Sequence, residues 1–225
     1  MATVEYTKRK LMTGAGDIYT QEMTTVDDPN TAPVYGDIVN QTPSLDKVGI
    51  ALQIAEKMVH LSNKPHSPIK KLKLAEISLD AGYLAAGFEE KMSGYVELAK
   101  GIYAIVENIG NNYFRLAIPF TNEAGEEVIW NFPKCELKPS DVSGETERDD
   151  FQEQLKSYII NALPLEYETD LKQDSLINSN GVAFFADLSI PEVRETYDRK
   201  KLLEQGFYDK ASLEKCKSST VVPGE

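Results

Sequence analysis

The sequence predicts a mainly β protein, with one flanking α-helix and a C-terminal tail that is partly helical. Three observations carry that prediction. Residues 101–106 (GIYAIV) and 113–118 (YFRLAI) are short apolar runs separated by Asn108-Ile-Gly-Asn-Asn112, residues that tolerate positive φ, which reads as an antiparallel hairpin. A second turn signal, Asn122-Glu-Ala-Gly125, leads into residues 128–132 (VIWNF), where Val128, Trp130 and Phe132 alternate with Ile129 and Asn131. Helical spacing of apolar residues that does not compete with a strand reading falls in one stretch after residue 80 and in the C-terminal part. The expected core is a three-stranded meander from 101 to 132, with both faces of residues 101–106 buried. On that reading Ile105→Asp abolishes folding, because the core would have to accept an unpaired charge.

Taken in order, residues 1–35 read as an N-terminal arm and one short strand, anchored by Tyr6, Leu11, Ile18 and Tyr19, with a turn at Asp27-Asp-Pro-Asn30. Residues 36–68 form an extended excursion in which Val48, Ile50, Leu52 and Ile54 alternate like a strand. Val48, Leu52, Ala55 and Val59 fit a helix face equally well, and periodicity leaves the choice between strand and helix over 48–59 open. Asn63-Lys-Pro-His-Ser-Pro68 reads as a break, and the excursion as a contact-bearing loop whose removal from Lys47 to Asn63 leaves the subunit folded.

Residues 70–77 (KKLKLAEI) alternate Leu72 and Leu74 with lysines, the pattern of a half-exposed strand. The helix that follows has Asp80 as its expected N-cap, Leu84, Phe88 and Met92 on one face, and Gly94 as its stop. Beyond Leu137 the chain is acidic and polar to Asp150. It recovers at Leu155, Tyr158, Ile159 and Ile160, a strand ending before Pro164. Residues 1–169 are therefore expected to form the β domain and 170–225 a C-terminal extension. In that extension Ser189-Ile-Pro-Glu192 has the form of a capping box with Pro just inside a helix. A charged helix runs over 195–204, Gly206 stops it, and one more turn falls near Ser212.

With 24 basic against 36 acidic residues and a net charge of −12, the chain lacks the clustered cations that a sequence-general grip on nucleic acid requires. No apolar run of about 18 residues is present, so no membrane helix is expected, and the N-terminus has no secretory pattern, which implies a protein that is cytosolic when made. Cys135 and Cys216 are far apart in sequence and are expected as free thiols.

A search for catalytic groups returns weak candidates, each with a simpler explanation. His60 and His66 lack a third ligand at metal spacing and read as solvated. Thr13-Gly-Ala-Gly-Asp17 has two glycines but neither the Lys-Ser/Thr ending nor the preceding strand of a phosphate loop, so it reads as a turn. Glu89-Glu90 and Asp149-Asp150 are neighbours that project apart, and they read as surface charge. Cys135 has no adjacent His and reads as a small buried side chain. No catalytic, cofactor-binding or metal-ligating residue is assigned, and the expectation is a protein that is not an enzyme.

Four features in their order resemble the major tail proteins, or tail tube proteins, of bacteriophages with long non-contractile tails. They are an N-terminal strand followed by an extended polar excursion bearing Pro33-Val-Tyr-Gly-Asp37, and a lysine-alternating strand running into a helix over residues 72–84. The 101–106 and 113–116 pair follows, then Trp130-Asn-Phe-Pro-Lys-Cys135 leading into a Lys-Pro-Ser140 turn and an acidic loop. The similarity covers residues 1–165, and the charged tail after Asp170 has no counterpart in the family pattern. The resemblance implies a β-sandwich or rolled β-barrel with one flanking helix, assembling as hexameric rings that stack into a tube. It also implies a virion component, assembled in the host cytoplasm, that meets a tape measure protein inside the tube and tail terminator and distal tail proteins at its ends. DNA would pass through an acidic lumen without specific binding. A soluble β-sandwich binding domain, carbohydrate-binding or baseplate-type, shares the fold signal but needs an exposed aromatic platform; Trp130, in an alternating strand, is expected in the core.

Overall fold

The computed structural model describes residues 10–61, 64–107, 109–139, 155–174 and 179–218, with the side chains of 57–61 and 64–69 left out of the description. The strands are β1 (Met12–Ala15), β2 (Ile18–Thr25), β3 (Val34–Thr42), β4 (Leu45–Leu61), β5 (Lys64–Ala81), β6 (Val96–Ala99), β7 (Ile102–Ala104), β8 (Tyr113–Asn122), β9 (Glu127–Lys138), β10 (Lys156–Ala162) and β11 (Phe184–Asp187). Short helices are α1 (Phe88–Met92), α2 (Asp170–Gln173), α3 (Pro191–Thr196), α4 (Arg199–Glu204) and α5 (Lys210–Lys215). The mainly β class read from the sequence is the class observed.

Nine strands form one antiparallel sheet in the order β3-β2-β8-β9-β10-β5-β4, with β1 extending the β2 edge of β8 and β11 extending the β10 edge of β9. The sheet rolls without closing. Residues from β2, β5, β8, β9, β10 and α1 meet in one cluster built on Ile18, Ile77, Leu79, Phe114, Phe132 and Ile160, while β3 and β4 keep one unpaired edge each. A rolled sheet is thus present, and a closed barrel is not.

The centre is the β8–β9 hairpin. Its turn is made by Asn122, whose Oδ1 accepts from the backbone N–H groups of Ala124 (2.9 Å) and Glu126 (3.0 Å). Leu116, Ile118 and Phe132 face the main cluster, and Ala117 and Ile129 face a second cluster that holds Leu202, Leu203, Phe207 and Cys216 from the C-terminal segment. Both faces of β8 and β9 are therefore buried, which is why their sequence is apolar with little alternation.

The expected partner of β8 was residues 101–106, and here the structure differs. Ile102–Ala104 pairs with Val96–Ala99 in a separate two-stranded sheet, and Ile105 is 72% exposed. The expectation that Ile105→Asp abolishes folding is overturned accordingly. The run has strand-forming residues, but β2 and β9 already occupy both edges of β8, so it folds back on its own neighbours.

Residues 48–59 are strand, so alternation prevails over the helix reading. Val48, Ile50, Leu52 and Ile54 oppose Leu79, Ile77, Ala75 and Leu72 in the β4–β5 ladder. Gln53 pairs with Leu74 and Ile54 with Leu72, leaving Lys73 as an extra residue. This bulge brings Leu72 onto the same face as Ala75, Ile77 and Leu79 despite the odd spacing. Pro65 and Pro68, read as a break, lie within β5. They are tolerated because β10 pairs only with Ala75 to Ala81, so the outer part of β5 has a free edge. Val48 and Ile50 pack on the core; removing Lys47 to Asn63 would strip a sheet strand rather than a loop.

Asp80 is the penultimate residue of β5 and not a helix cap; α1 starts later, capped at Gly87 by the Glu90 carboxylate, which accepts from the Gly87 N–H at 2.9 Å. Leu84, Phe88 and Met92 are buried as the spacing predicted. Gly94 has φ 77, and a Cβ there would fall 2.4 Å from Ile109 Cγ2. In the C-terminal segment Pro191 is at the start of α3 as read, but Ile190 occupies the cap position and Ser189 caps nothing. The expected helix over 195–204 is interrupted at Tyr197, which bridges to Lys217, and restarts with Asp198 accepting from Lys201 N–H at 3.0 Å. Gly206 has φ 70, and α5 supplies the turn at Ser212.

Candidate assembly surfaces

Two buried polar networks tie distant segments of the fold together. Arg115 is fully buried in the middle of β8. Its guanidinium donates to Gln21 Oε1 (3.0 Å), Asn131 Oδ1 (3.1 Å), and the carbonyls of Leu203 (2.9 Å) and Glu204 (2.8 Å) at the C-terminus of α4. Those carbonyls have no partner within the helix, so a cation at this end satisfies orphan acceptors. Asn131 Nδ2 donates in turn to Phe207 O at 2.6 Å. Burial pulls the Arg115 guanidinium down to about 10. A Cβ on Gly206 would lie 2.6 Å from Arg115 Cδ, so this packing requires glycine there.

The second network joins Lys134 of β9 to Asp27, 2.7 Å apart and both buried. Asp27 Oδ2 also accepts from the N–H groups of Glu166 and of Tyr167 (3.1 Å), fixing the chain after β10. Burial works to lower the Lys134 ammonium, but Asp27 and Glu166 hold it above its ordinary range. The Tyr113 ring lies beneath the ammonium, 4.8 Å from its centroid. The sequence reading missed both networks. The one available signal was a charged residue inside an apolar strand, Arg115 in YFRLAI and Lys134 after Phe132-Pro133.

The sequence-derived candidates do not converge. Glu89 receives the Lys156 ammonium and the Tyr158 hydroxyl (2.9 Å), fastening α1 to β10, while Glu90 caps α1; the neighbours project apart and serve structure. Thr13 to Ala15 lie in β1, Gly16 N–H donates to Pro119 O at 2.8 Å, and Asp17 accepts from Gln41 Nε2 at 2.6 Å, so this is a strand end and turn. Cys135 and Cys216 are buried free thiols. Burial pushes the Cys135 thiol far above its ordinary value, which leaves it inert as a nucleophile. His60 and His66 lie on the outer β4–β5 hairpin, with side chains outside the description, and Asp149 and Asp150 lie outside the described residues. Among the described residues no three His, Cys, Asp or Glu are grouped to hold a metal, and no helix is long and apolar enough to cross a membrane.

What the surface offers is apolar strand. The outer half of the β4–β5 hairpin extends past the last β10 pair, Ala162 with Ala75; Leu52, opposite Ala75, and Ile54, beyond it, are 56% and 58% exposed. A second apolar surface is the β6–β7 flap, where Val96, Leu98, Ile102, Ile105 and Ile109 are all exposed. On the edge strand β3, Ile38 is 74% exposed. Large exposed aliphatics grouped on strands mark contact sites more often than isolated ones do. Trp130, expected in the core, is half-buried and stacks on Phe185 with centroids 5.4 Å apart; Phe185 is 63% exposed.

No family model matches the chain, and none of the curated proteins does. Among solved structures, it is similar to a chain of the anti-feeding prophage (AFP) baseplate, determined by cryo-EM with six-fold symmetrisation. The match has 10% identity and a TM-score of 0.30, covering 71% of this chain and 92% of that one. A likeness this loose carries no functional argument.

Proposed function

We propose that this chain is a structural subunit of a phage-type particle, and that it polymerises as stacked rings into a tail tube. The observation that carries the reading is the β4–β5 hairpin. Strands of 17 and 18 residues run well beyond the globular body, and their apolar face continues outward from the core through Val48 and Ile50 to the uncovered Leu52 and Ile54. An apolar ladder that leaves its own domain is stable where another subunit covers it. The open edges of β3 and β4 and the sequence resemblance to tail tube proteins support the same reading. Hexameric rings, a tape measure protein inside the tube, terminator and distal tail proteins at its ends, and a place in the virion belong to this proposal.

In this role the protein has no turnover and conducts DNA without gripping it. Among the described residues, several bases are engaged: Lys10 with Glu126 at 2.6 Å, Lys70 with Glu56 at 3.8 Å, Arg199 with Glu127, and Lys201 with the Lys217 carbonyl at 2.7 Å. A net charge of −12 adds repulsion that is screened over roughly 10 Å at 0.1 M salt. Negative-stain microscopy of the purified chain together with a duplex-DNA mobility shift at low salt tests the reading. Rings or tubes that leave DNA unshifted are expected, and tight, salt-sensitive DNA retention would remove the conduit.

The stacked Trp130 and Phe185 pair favours a second reading, a glycan-binding domain, because an exposed aromatic on a sheet is a platform for sugar rings. A glycan array separates the two. Binding lost in Phe185→Ala by a chain that stays monomeric would favour this alternative.

A further inference from the structure

The two exposed apolar surfaces lie at opposite ends of the sheet. At one end are Ala81 of β5, Lys156 of β10, the close of β9 and Tyr113 of β8; the registers Lys156 with Ala81, Ile159 with Lys138 and Tyr113 with Glu136 place them together. The flap is strung between α1, which follows Ala81, and Tyr113, so it belongs to this end. The outer β4–β5 hairpin runs the other way, past the pairing of Ala162 with Ala75.

Their charges are opposite. Residues 53–73 carry five lysines and one glutamate in a chain whose net charge is −12, so the hairpin is a basic arm on an acidic body. Lys70 and Lys73 are exposed on β5 on either side of Leu72, the partner of Ile54, with Lys70 also 3.8 Å from the exposed Glu56. The flap presents exposed Glu97 and Glu107 against the single base Lys100.

We infer that the basic apolar hairpin of one copy docks on the β6–β7 flap of the next copy, a head-to-tail contact along the strand direction. The inference rests on the reading of the chain as a self-assembling subunit and adds to it which two surfaces meet. A contact between unlike surfaces is heterologous, and with the two surfaces at opposite ends of the strands each added copy leaves a free surface for the next, so it propagates unless its rotation closes a ring. Apolar residues supply the buried area and the lysine and glutamate fringes set orientation and exclude hairpin-to-hairpin pairing.

The test is charge reversal with rescue, read by sedimentation and microscopy at fixed salt. One variant carries Lys70→Glu and Lys73→Glu, and the other Glu97→Lys and Glu107→Lys. Each alone is expected to raise the concentration needed for long assemblies at least tenfold, while far-UV circular dichroism and thermal melting stay close to the parent. Mixed in equal amounts, the two restore assembly, because a reversed hairpin then meets a reversed flap. A second measurement does not depend on those variants: the Ile54→Cys/Leu98→Cys double variant, oxidised with glutathione disulfide, is expected to give a ladder of linked chains, and either single variant no more than a pair. Parent assemblies that form normally while the flap reversal has no effect, the mixture fails to rescue, or no ladder appears would overturn this contact and leave the assembly reading standing. A parent that never assembles would instead remove the reading on which the contact rests.

Discussion

Residues 101–106 (GIYAIV) and 113–118 (YFRLAI) are both short apolar runs that share Ile, Ala and Tyr, and they end in opposite places. In the second run Leu116, Ala117 and Ile118 are fully buried, whereas in the first Ile102 and Ile105 are exposed. Composition does not separate them. Position in the sheet does: β8 has paired strands on both edges and packed clusters on both faces, and the first run reaches only its own neighbour β6. Apolar strands at the centre of a sheet hold the subunit together, and equally apolar strands at its margin stay exposed, which is where the proposed contact between copies falls.

The largest effect that sharpens this contrast is a pair of identical substitutions. Ile118→Asp places a carboxylate among Leu116, Phe132 and Ile77 with nothing to pair it and is expected to cost about 4 kcal/mol or more, enough to unfold the chain. Ile105→Asp, at a site 72% exposed, is expected to leave the unfolding free energy within about 0.5 kcal/mol of the parent. Urea titration followed by tryptophan fluorescence checks both, and equal losses at the two sites would erase the distinction between centre and margin.

A smaller effect is expected where the centre meets the C-terminal segment. Arg115→Met keeps the apolar stem and removes four donated hydrogen bonds, leaving the Leu203 and Glu204 carbonyls at the end of α4 without their donor. A loss of about 3 kcal/mol follows from unsatisfied buried acceptors. Hydrogen exchange is expected to rise first in residues 199–216, and a uniform rise across β8 and β9 instead would show that Arg115 supports the sheet rather than the docked helices.

The smallest effect is alkaline. Tyr35 and Tyr208 are held neutral by burial, Tyr208 with its phenol pushed up to about 12 and Tyr35 well above the ordinary 10.0, and Lys134 keeps its proton through Asp27. Each folded-state value is raised, so each contribution is complete below the ordinary phenol or ammonium value and drains away as pH climbs from about 10 toward 12. Arg115, lowered by burial, runs the other way but is a single group. The thermal midpoint is expected to hold from pH 7 to 9.5 and then fall. A midpoint that stays level to pH 12 would contradict the burial of these phenols.

The β class, the β8–β9 hairpin, β10, the apolar face of α1 and the stops at Gly94 and Gly206 were legible because each depends on a turn residue or a local period. The pairing of residues 101–106 was not, because competition for the edges of β8 is settled by β2, some ninety residues away in sequence. Alternation of Val48 to Ile54 was visible, but the Lys73 bulge that keeps Leu72 in phase with Ile77 left no signature in spacing. Arg115 could be seen as a charge in an apolar strand; its role as a clamp on α4 depends on tertiary placement that no local pattern encodes.

The central claim, that the exposed margin is a contact between copies, is tested most directly by analytical ultracentrifugation of the purified chain across a concentration series, with negative-stain microscopy of the same samples. Rings and stacked tubes that grow with concentration are expected, together with their loss in a Leu52→Asp/Ile54→Asp variant that melts like the parent. A parent that sediments as a single monomer at every concentration and salt, with no ring or tube in the images, would contradict the claim.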